Sequence, residues 1–314
     1  MTAAMRPLLA VLFALALIAA GCGEDDQGGG SSGGFEVVAT TTQAADLARN
    51  VAGTRATVNG LMAPNADPHE YEVRPRDVEA ISEAGLIVRS GGDLDEWLQE
   101  AIEGSGAEAP VLTLIDHVAT RKGEEEGEPI DPHWWQDPRN AERAVAAIRD
   151  ELIRADPGGA AEYRANADAY LAKLRRLDQG VAACMDKVPP DRRKLVTTHD
   201  ALGYYADRYG IEVIGTVIPA LTTEGQPSAG ETAELVKTIR TEGVTTIFAE
   251  SSVDPKVEAA IARESGAHVG EELWADTLGP QGSSGATYLQ SIAANTRALV
   301  DGFTDGEQSC SLPS

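Results

Sequence analysis

The chain is short of positive charge. Lysine and arginine together number 26 against 50 aspartates and glutamates, a formal net charge of −24 over 314 residues. A surface that acidic repels nucleic acid, so a DNA or RNA partner is excluded. It would attract cations, although many soluble proteins are simply acidic. Long apolar runs are missing outside the N-terminus, so no other stretch is able to span a membrane. Cysteine occurs three times and histidine five times, and there is no His-Glu-x-x-His or related zinc-hydrolase motif. No residue-level repeat is clear. What is present, 42% hydrophobic residues with only 5% aromatics, fits a soluble α/β protein long enough for two domains and a large core.

The one apolar run, Leu8 to Ala20, follows Arg6 and ends in Leu17-Ile18-Ala19-Ala20-Gly21-Cys22. It is too short for a comfortable membrane span and the right length for an export signal, residues 1–22. Small residues before a cysteine resemble a bacterial lipoprotein cleavage box, with Ala19 where leucine is more usual, and predict a lipid on Cys22. The alternative is an ordinary secretory signal. Residues 23–34 are Gly, Ser, Gln and acids, a flexible tether. The protein is then exported and anchored to the outer face of a membrane. With Cys22 set aside, Cys184 and Cys310 remain in an oxidising compartment and suggest one disulfide tying the C-terminal tail to the middle of the chain.

From Phe35 strands alternate with helices. Strands are predicted at 35–40, 57–62, 86–89 and 110–114, and helices at 43–51, 75–84 and 94–103. This is the pattern of right-handed βαβ units on a parallel sheet. The loop from Asp116 to Ile130 carries Glu124-Glu125-Glu126. A helix is predicted at 138–154. Asp156-Pro157 then reads as N-cap and first helical position of a second one. From there to about Met185 the apolar residues lie mostly three or four apart, a rod of roughly 28 residues and about 40 Å that can cross between domains. After Pro189-Pro190 the alternation resumes, with strands at 194–197, 211–217, 245–249 and 267–270 and helices at 201–209, 228–242, 255–264 and 288–303. The division expected is a first α/β lobe at 35–155, a linking helix at 156–188, a second α/β lobe at 189–304 and a tail at 305–314.

The stretch Asp131-Pro132-His133-Trp134-Trp135-Gln136-Asp137-Pro138 holds a histidine between two Asp-Pro bends. A second Asp-Pro-His lies at Asp67-Pro68-His69, and His199 follows a strand directly in Thr197-Thr198-His199-Asp200. Each of these histidines sits in a strand-end loop, where open α/β sheets bind ligands. His117 and His268 lack that setting and read as structural or surface residues. Three imidazoles with one carboxylate complete a tetrahedral shell for a divalent metal. The carboxylate candidates are Asp200, Glu250, Glu271, Glu272 and Asp276.

The motifs Asp67-Pro68-His69-Glu70-Tyr71-Glu72, Asp131 to Pro138, His199-Asp200-Ala201-Leu202-Gly203-Tyr204-Tyr205, Phe248-Ala249-Glu250 and Leu273-Trp274-Ala275-Asp276-Thr277-Leu278-Gly279 together resemble the zinc/manganese solute-binding proteins of ABC importers, the cluster A-I or TroA-like superfamily. The resemblance covers about Glu36 to Phe303. It implies two lobes joined by one long helix with a metal buried between them. By motif, His69 and His133 come from the first lobe, His199 and Asp276 from the second, and Glu250 is a supporting neighbour rather than a ligand. Manganese relatives often carry Glu where His199 stands, so zinc is implied, with manganese possible. The histidine-rich loop of zinc relatives is replaced here by an acidic one. The implied action is capture and delivery to an ABC permease by a monomer, with a small hinge motion and no catalytic turnover. The alternatives are a surface-anchored zinc metallohydrolase with Glu250 as base, a manganese-specific importer component, and an adhesin or metallochaperone.

Overall fold

The computed structural model describes residues 1, 34–123 and 130–312. The leader, Cys22, nearly all of the tether and the acidic run Glu124–Glu126 lie outside them. Four strands open the chain: β1 (Phe35–Ala39), β2 (Ala56–Gly60), β3 (Leu86–Arg89) and β4 (Val111–Thr113). All pair in parallel, in the order β2-β1-β3-β4. Between them run α1 (Thr42–Ala52), α2 (Pro75–Glu83) and α3 (Leu98–Ser105). Thr41 caps α1, its hydroxyl accepting from the Ala44 N–H at 3.2 Å. The small residues of α1 let it bury almost completely between the sheet and the helices behind it.

The predicted helix at 94–103 starts later than its periodicity suggests. A 3₁₀ turn occupies Gly92–Asp95 because the buried Asp95 carboxylate accepts from the N–H groups of Ser90 and Gly91, at 2.7 and 3.1 Å. The carboxylate is needed to close the loop after β3 and is not available to begin a helix.

Helix α4 (Pro138–Ala155) begins at the second Asp-Pro of the central motif. Asp137 accepts from the Arg139 N–H at 2.8 Å, and the proline takes the first helical position, where no N–H is required. Helix α5 (Ala160–Met185) is the long rod, 26 residues or about 39 Å. A 3₁₀ turn at Pro157–Gly159 precedes it, and Asp156 does not cap it. The Asp156 carboxylate instead accepts from Arg55, at 2.8 and 2.9 Å, and from the Tyr163 hydroxyl at 2.8 Å.

The second half contributes β5 (Lys194–Thr197), α6 (Gly203–Tyr209), β6 (Glu212–Thr216), α7 (Ala229–Glu242), β7 (Thr246–Ile247), α8 (Lys256–Ser265), β8 (His268–Val269) and α9 (Tyr288–Phe303). The β5–β6 and β7–β8 pairs are parallel. A single parallel bridge between Thr197 and Phe248 joins them, so the spatial order β6-β5-β7-β8 reproduces that of the first lobe. The shared pattern of elements is thus a shared topology.

Residues 34–314 cluster as one unit. The largest core runs continuously from Val37 and Leu47 through Trp134, Trp135 and the inner face of α5 to Leu195, Tyr205, Phe248 and Tyr288. Aromatic side chains of that kind remove about 150–250 Å² each from water, roughly 4–6 kcal/mol apiece as an upper bound. A core shared by both lobes resists wide separation. The sulfurs of Cys184, at the end of α5, and Cys310, in the tail, are paired as a disulfide with Cα atoms 5.5 Å apart. No helix among the described residues is long and apolar enough to cross a membrane.

Candidate metal centre

His69, His133, His199 and Asp276, each carried beyond the end of a strand, meet at one point. One ligand-type atom from each lies within 4.8 Å of all the others. Three of the four side chains have no solvent exposure and that of His69 has 4%.

Local chemistry turns two of the three imidazoles. After β4 the chain reaches Asp131-Pro132-His133, where Asp131 Oδ1 accepts from both the backbone N–H of His133, at 2.9 Å, and its Nδ1–H, at 2.8 Å. Asp131 Oδ2 accepts from Arg121 Nη1 at 2.9 Å, and Arg121 reaches on to Asp207 of α6 at 3.1 Å. A Cβ on Gly203, the first residue of α6, would overlap that guanidinium. Burial pushes the Asp131 carboxyl up, but His133 and Arg121 outweigh it and hold the pKa below the usual carboxylate value. His199, one residue past Thr198, is held in the same way by a distant residue. Glu250 accepts from its backbone N–H at 3.0 Å and from Nδ1–H at 2.7 Å. Protons on both Nδ1 atoms leave the Nε2 lone pairs of His133 and His199 directed into the centre.

Those lone pairs face each other. His133 Nε2 lies 3.4 Å from Nε2 of both His69 and His199. Asp276 places Oδ1 3.4 Å from His133 Nε2, and Oδ2 3.6 and 3.2 Å from Nε2 of His69 and His199. Both of its oxygens are buried without a hydrogen-bond partner. Imidazole lone pairs opposed at this range repel unless a cation lies between them. The spacings also match the edges of a coordination tetrahedron, about 3.3 Å for metal–nitrogen bonds of about 2.0–2.1 Å. The surrounding carboxylates favour positive charge at this point. Burial alone would depress the His199 pKa, but the Asp276 and Glu250 carboxylates overcome it and raise it to about 10. His133 is also raised against its burial, chiefly by Asp131. Asp276 is lowered despite burial, by the surrounding histidines.

Bonds between the lobes surround the site. The Ala275 carbonyl, beside Asp276, accepts from Trp135 Nε1 at 2.9 Å and Gln136 Nε2 at 2.7 Å. The Tyr288 hydroxyl donates to the Trp135 carbonyl at 2.6 Å, and the Thr223 hydroxyl donates to Asp67 Oδ2 at 2.7 Å.

Of the five carboxylates open to the sequence, only Asp276 joins the cluster. Glu250 bonds to His199, Glu271 and Glu272 face solvent, and Asp200 is partly buried elsewhere with its N–H on the Ala220 carbonyl at 3.0 Å. His117 and His268 are exposed. The roles of Asp131 and Arg121 in orienting His133, and of Asp67 in bonding to Thr223, were not anticipated. Aspartate two residues before histidine, twice, was the available signal.

Residues 37–302 match the family described as the periplasmic zinc-uptake complex component A. The manganese-binding lipoprotein MntA of Halalkalibacterium halodurans is 31% identical over 297 residues, covering 94% of this chain and 97% of that protein. The zinc-binding protein TroA of Treponema pallidum is 34% identical over 272 residues, covering 84% and 87%. The solved structure of periplasmic TroA from the same organism superposes with a TM-score of 0.80 at 31% identity, over 86% of this chain and 99% of that one. With the fold, its two lobes and most of its length shared, the chain belongs to the zinc-uptake complex component A family, alongside TroA.

Proposed function

We propose that this protein captures a divalent metal ion, zinc in preference to manganese, and delivers it to an ABC permease for import. It works as an exported monomer held to the outer face of the cell membrane by a lipid on Cys22. The lobes are taken as 35–155 and 189–304, joined by 156–188. His69, His133, His199 and Asp276 are the ligands, Asp131 and Glu250 their orienting partners. The observation that carries this reading is the convergence of three Nε2 atoms and a doubly unpartnered carboxylate from opposite lobes on one buried point. An ion there is shared by both lobes, so release requires that they part. The common core and the long α5 limit that movement to a small one.

A catalytic role is disfavoured by the same geometry. Both Glu250 oxygens are engaged by His199, so no free base faces the site. A manganese reading draws on one observation: both Asp276 oxygens face the histidines, which permits bidentate binding and a fifth ligand. The test is the metal content of protein purified without added metal, measured beside His199→Glu. About one zinc per chain, with a shift toward manganese in the variant, is expected. Metal-free protein with no zinc affinity in competition titration would remove the proposal.

A further inference from the structure

Behind the metal centre the ligand loops wall a second space. A cavity of about 350 Å³ is lined by Asp67, Glu70, Thr198, Asp254, Lys256 and Glu258, among others. It has room for roughly ten water molecules at about 30 Å³ each. Its charge is four carboxylates against one ammonium, and that ammonium is paired with Asp254 at the rim. The informative residue is Glu258, on α8, which is 1% exposed. Its Oε1 accepts from the Thr198 hydroxyl at 2.6 Å. Its Oε2 is buried with no partner, as is the hydroxyl of Ser252, which lines the same cavity. A carboxylate oxygen left bare in the interior is costly unless a donor or a cation stands beside it.

We propose that this cavity is a second divalent-cation site, distinct from the three-histidine centre, holding a partly hydrated ion on Glu258. It rests on the metal-capture reading for the identity of the ion. Its donors are oxygens only, a set that suits an ion still carrying waters and binds zinc more weakly than imidazole nitrogens. Glu70 at the exposed mouth and Asp67 contribute field. The Asp67 oxygens are already taken by the His69 N–H, at 2.9 Å, and by Thr223, at 2.7 Å. Thr198 and Asp67 stand one and two residues from ligands in the sequence. The cavity therefore shares the loops that carry His69 and His199.

The test is calorimetric titration of the full chain with Zn²⁺ alone, in wild type, Glu258→Gln and Glu70→Gln. Glutamine preserves an acceptor for Thr198 and removes the charge. Wild type should show one tight event and one at least about a hundredfold weaker. Glu258→Gln should weaken the second by at least about tenfold and leave the first within about twofold, while the exposed Glu70→Gln weakens the second by about threefold. A single event in wild type, or a weak event indifferent to both substitutions, overturns the proposal, since indifferent binding is ion condensation on an acidic surface. A missing tight event with the Glu258-dependent one retained would overturn the capture reading alone.

Discussion

At Asp67-Pro68-His69 and at Asp131-Pro132-His133, the histidine N–H donates to Oδ1 of the aspartate two residues back, at 2.9 Å in both. Beyond that shared turn the two copies part. Asp131 also takes the Nδ1–H of its histidine and is braced by Arg121, so it orients an imidazole and stays charged. Asp67 spends its other oxygen on Thr223, in the opposite lobe, so it fastens one lobe to the other. His133 is wholly buried, whereas the His69 side chain keeps a sliver of exposure. The same tripeptide thus supplies a fixed imidazole in one place and a latch at the rim in the other. A local motif sets the backbone turn, and the neighbours it meets set the job.

The comparison is open to attack by mutation. His133→Ala should have the largest effect, lowering zinc affinity at least about a hundredfold in competition titration, because a ligand is lost from the buried side of the shell. Unchanged affinity would strike His133 from the centre. Asp131→Asn should cost about thirtyfold, since it weakens the hold on Nδ1–H and leaves Arg121 with Asp207 as its remaining charged partner. If Asp67→Asn proved equally severe, the two turns would be doing the same work.

Acid should act next. His199 is raised to about 10 in the metal-free protein, so below that pH the ion must displace its proton. Affinity therefore rises with pH and falls in acid, by about tenfold per pH unit for each proton released. A titration in two buffers of different ionisation heat measures the release, and none at pH 7 would contradict the protonated site. Asp67→Asn should be the mildest, about threefold in affinity, with a larger effect on the rate at which a chelator strips the metal. A change in affinity without a change in that rate would argue against the latch.

Much of this was legible in the chain. Alternating strands and helices are written in hydrophobic periodicity, which depends only on near neighbours, and so the α/β class, the long rod and the last helix emerge directly. Prolines beside His69 and His133 mark turns for the same reason. The misplacements have equally local causes in the fold. Asp95 and Asp156 look like ordinary helix-start residues, yet each is drawn off, one by the N–H groups after β3 and the other by Arg55 and Tyr163. Five carboxylates stood as candidates for the fourth ligand by residue type alone; family motif pointed to Asp276, and geometry explains why.

Turn chemistry and periodicity, interactions that reach only a few residues, were enough to establish two α/β halves, a rod between them and three histidines at strand ends. Which carboxylate faces those histidines, which one 51 residues away steadies His199, and which of two identical turns becomes the latch are settled by contacts between segments far apart in the chain. Only folding brings those segments within hydrogen-bonding distance, so turn chemistry and periodicity do not encode them.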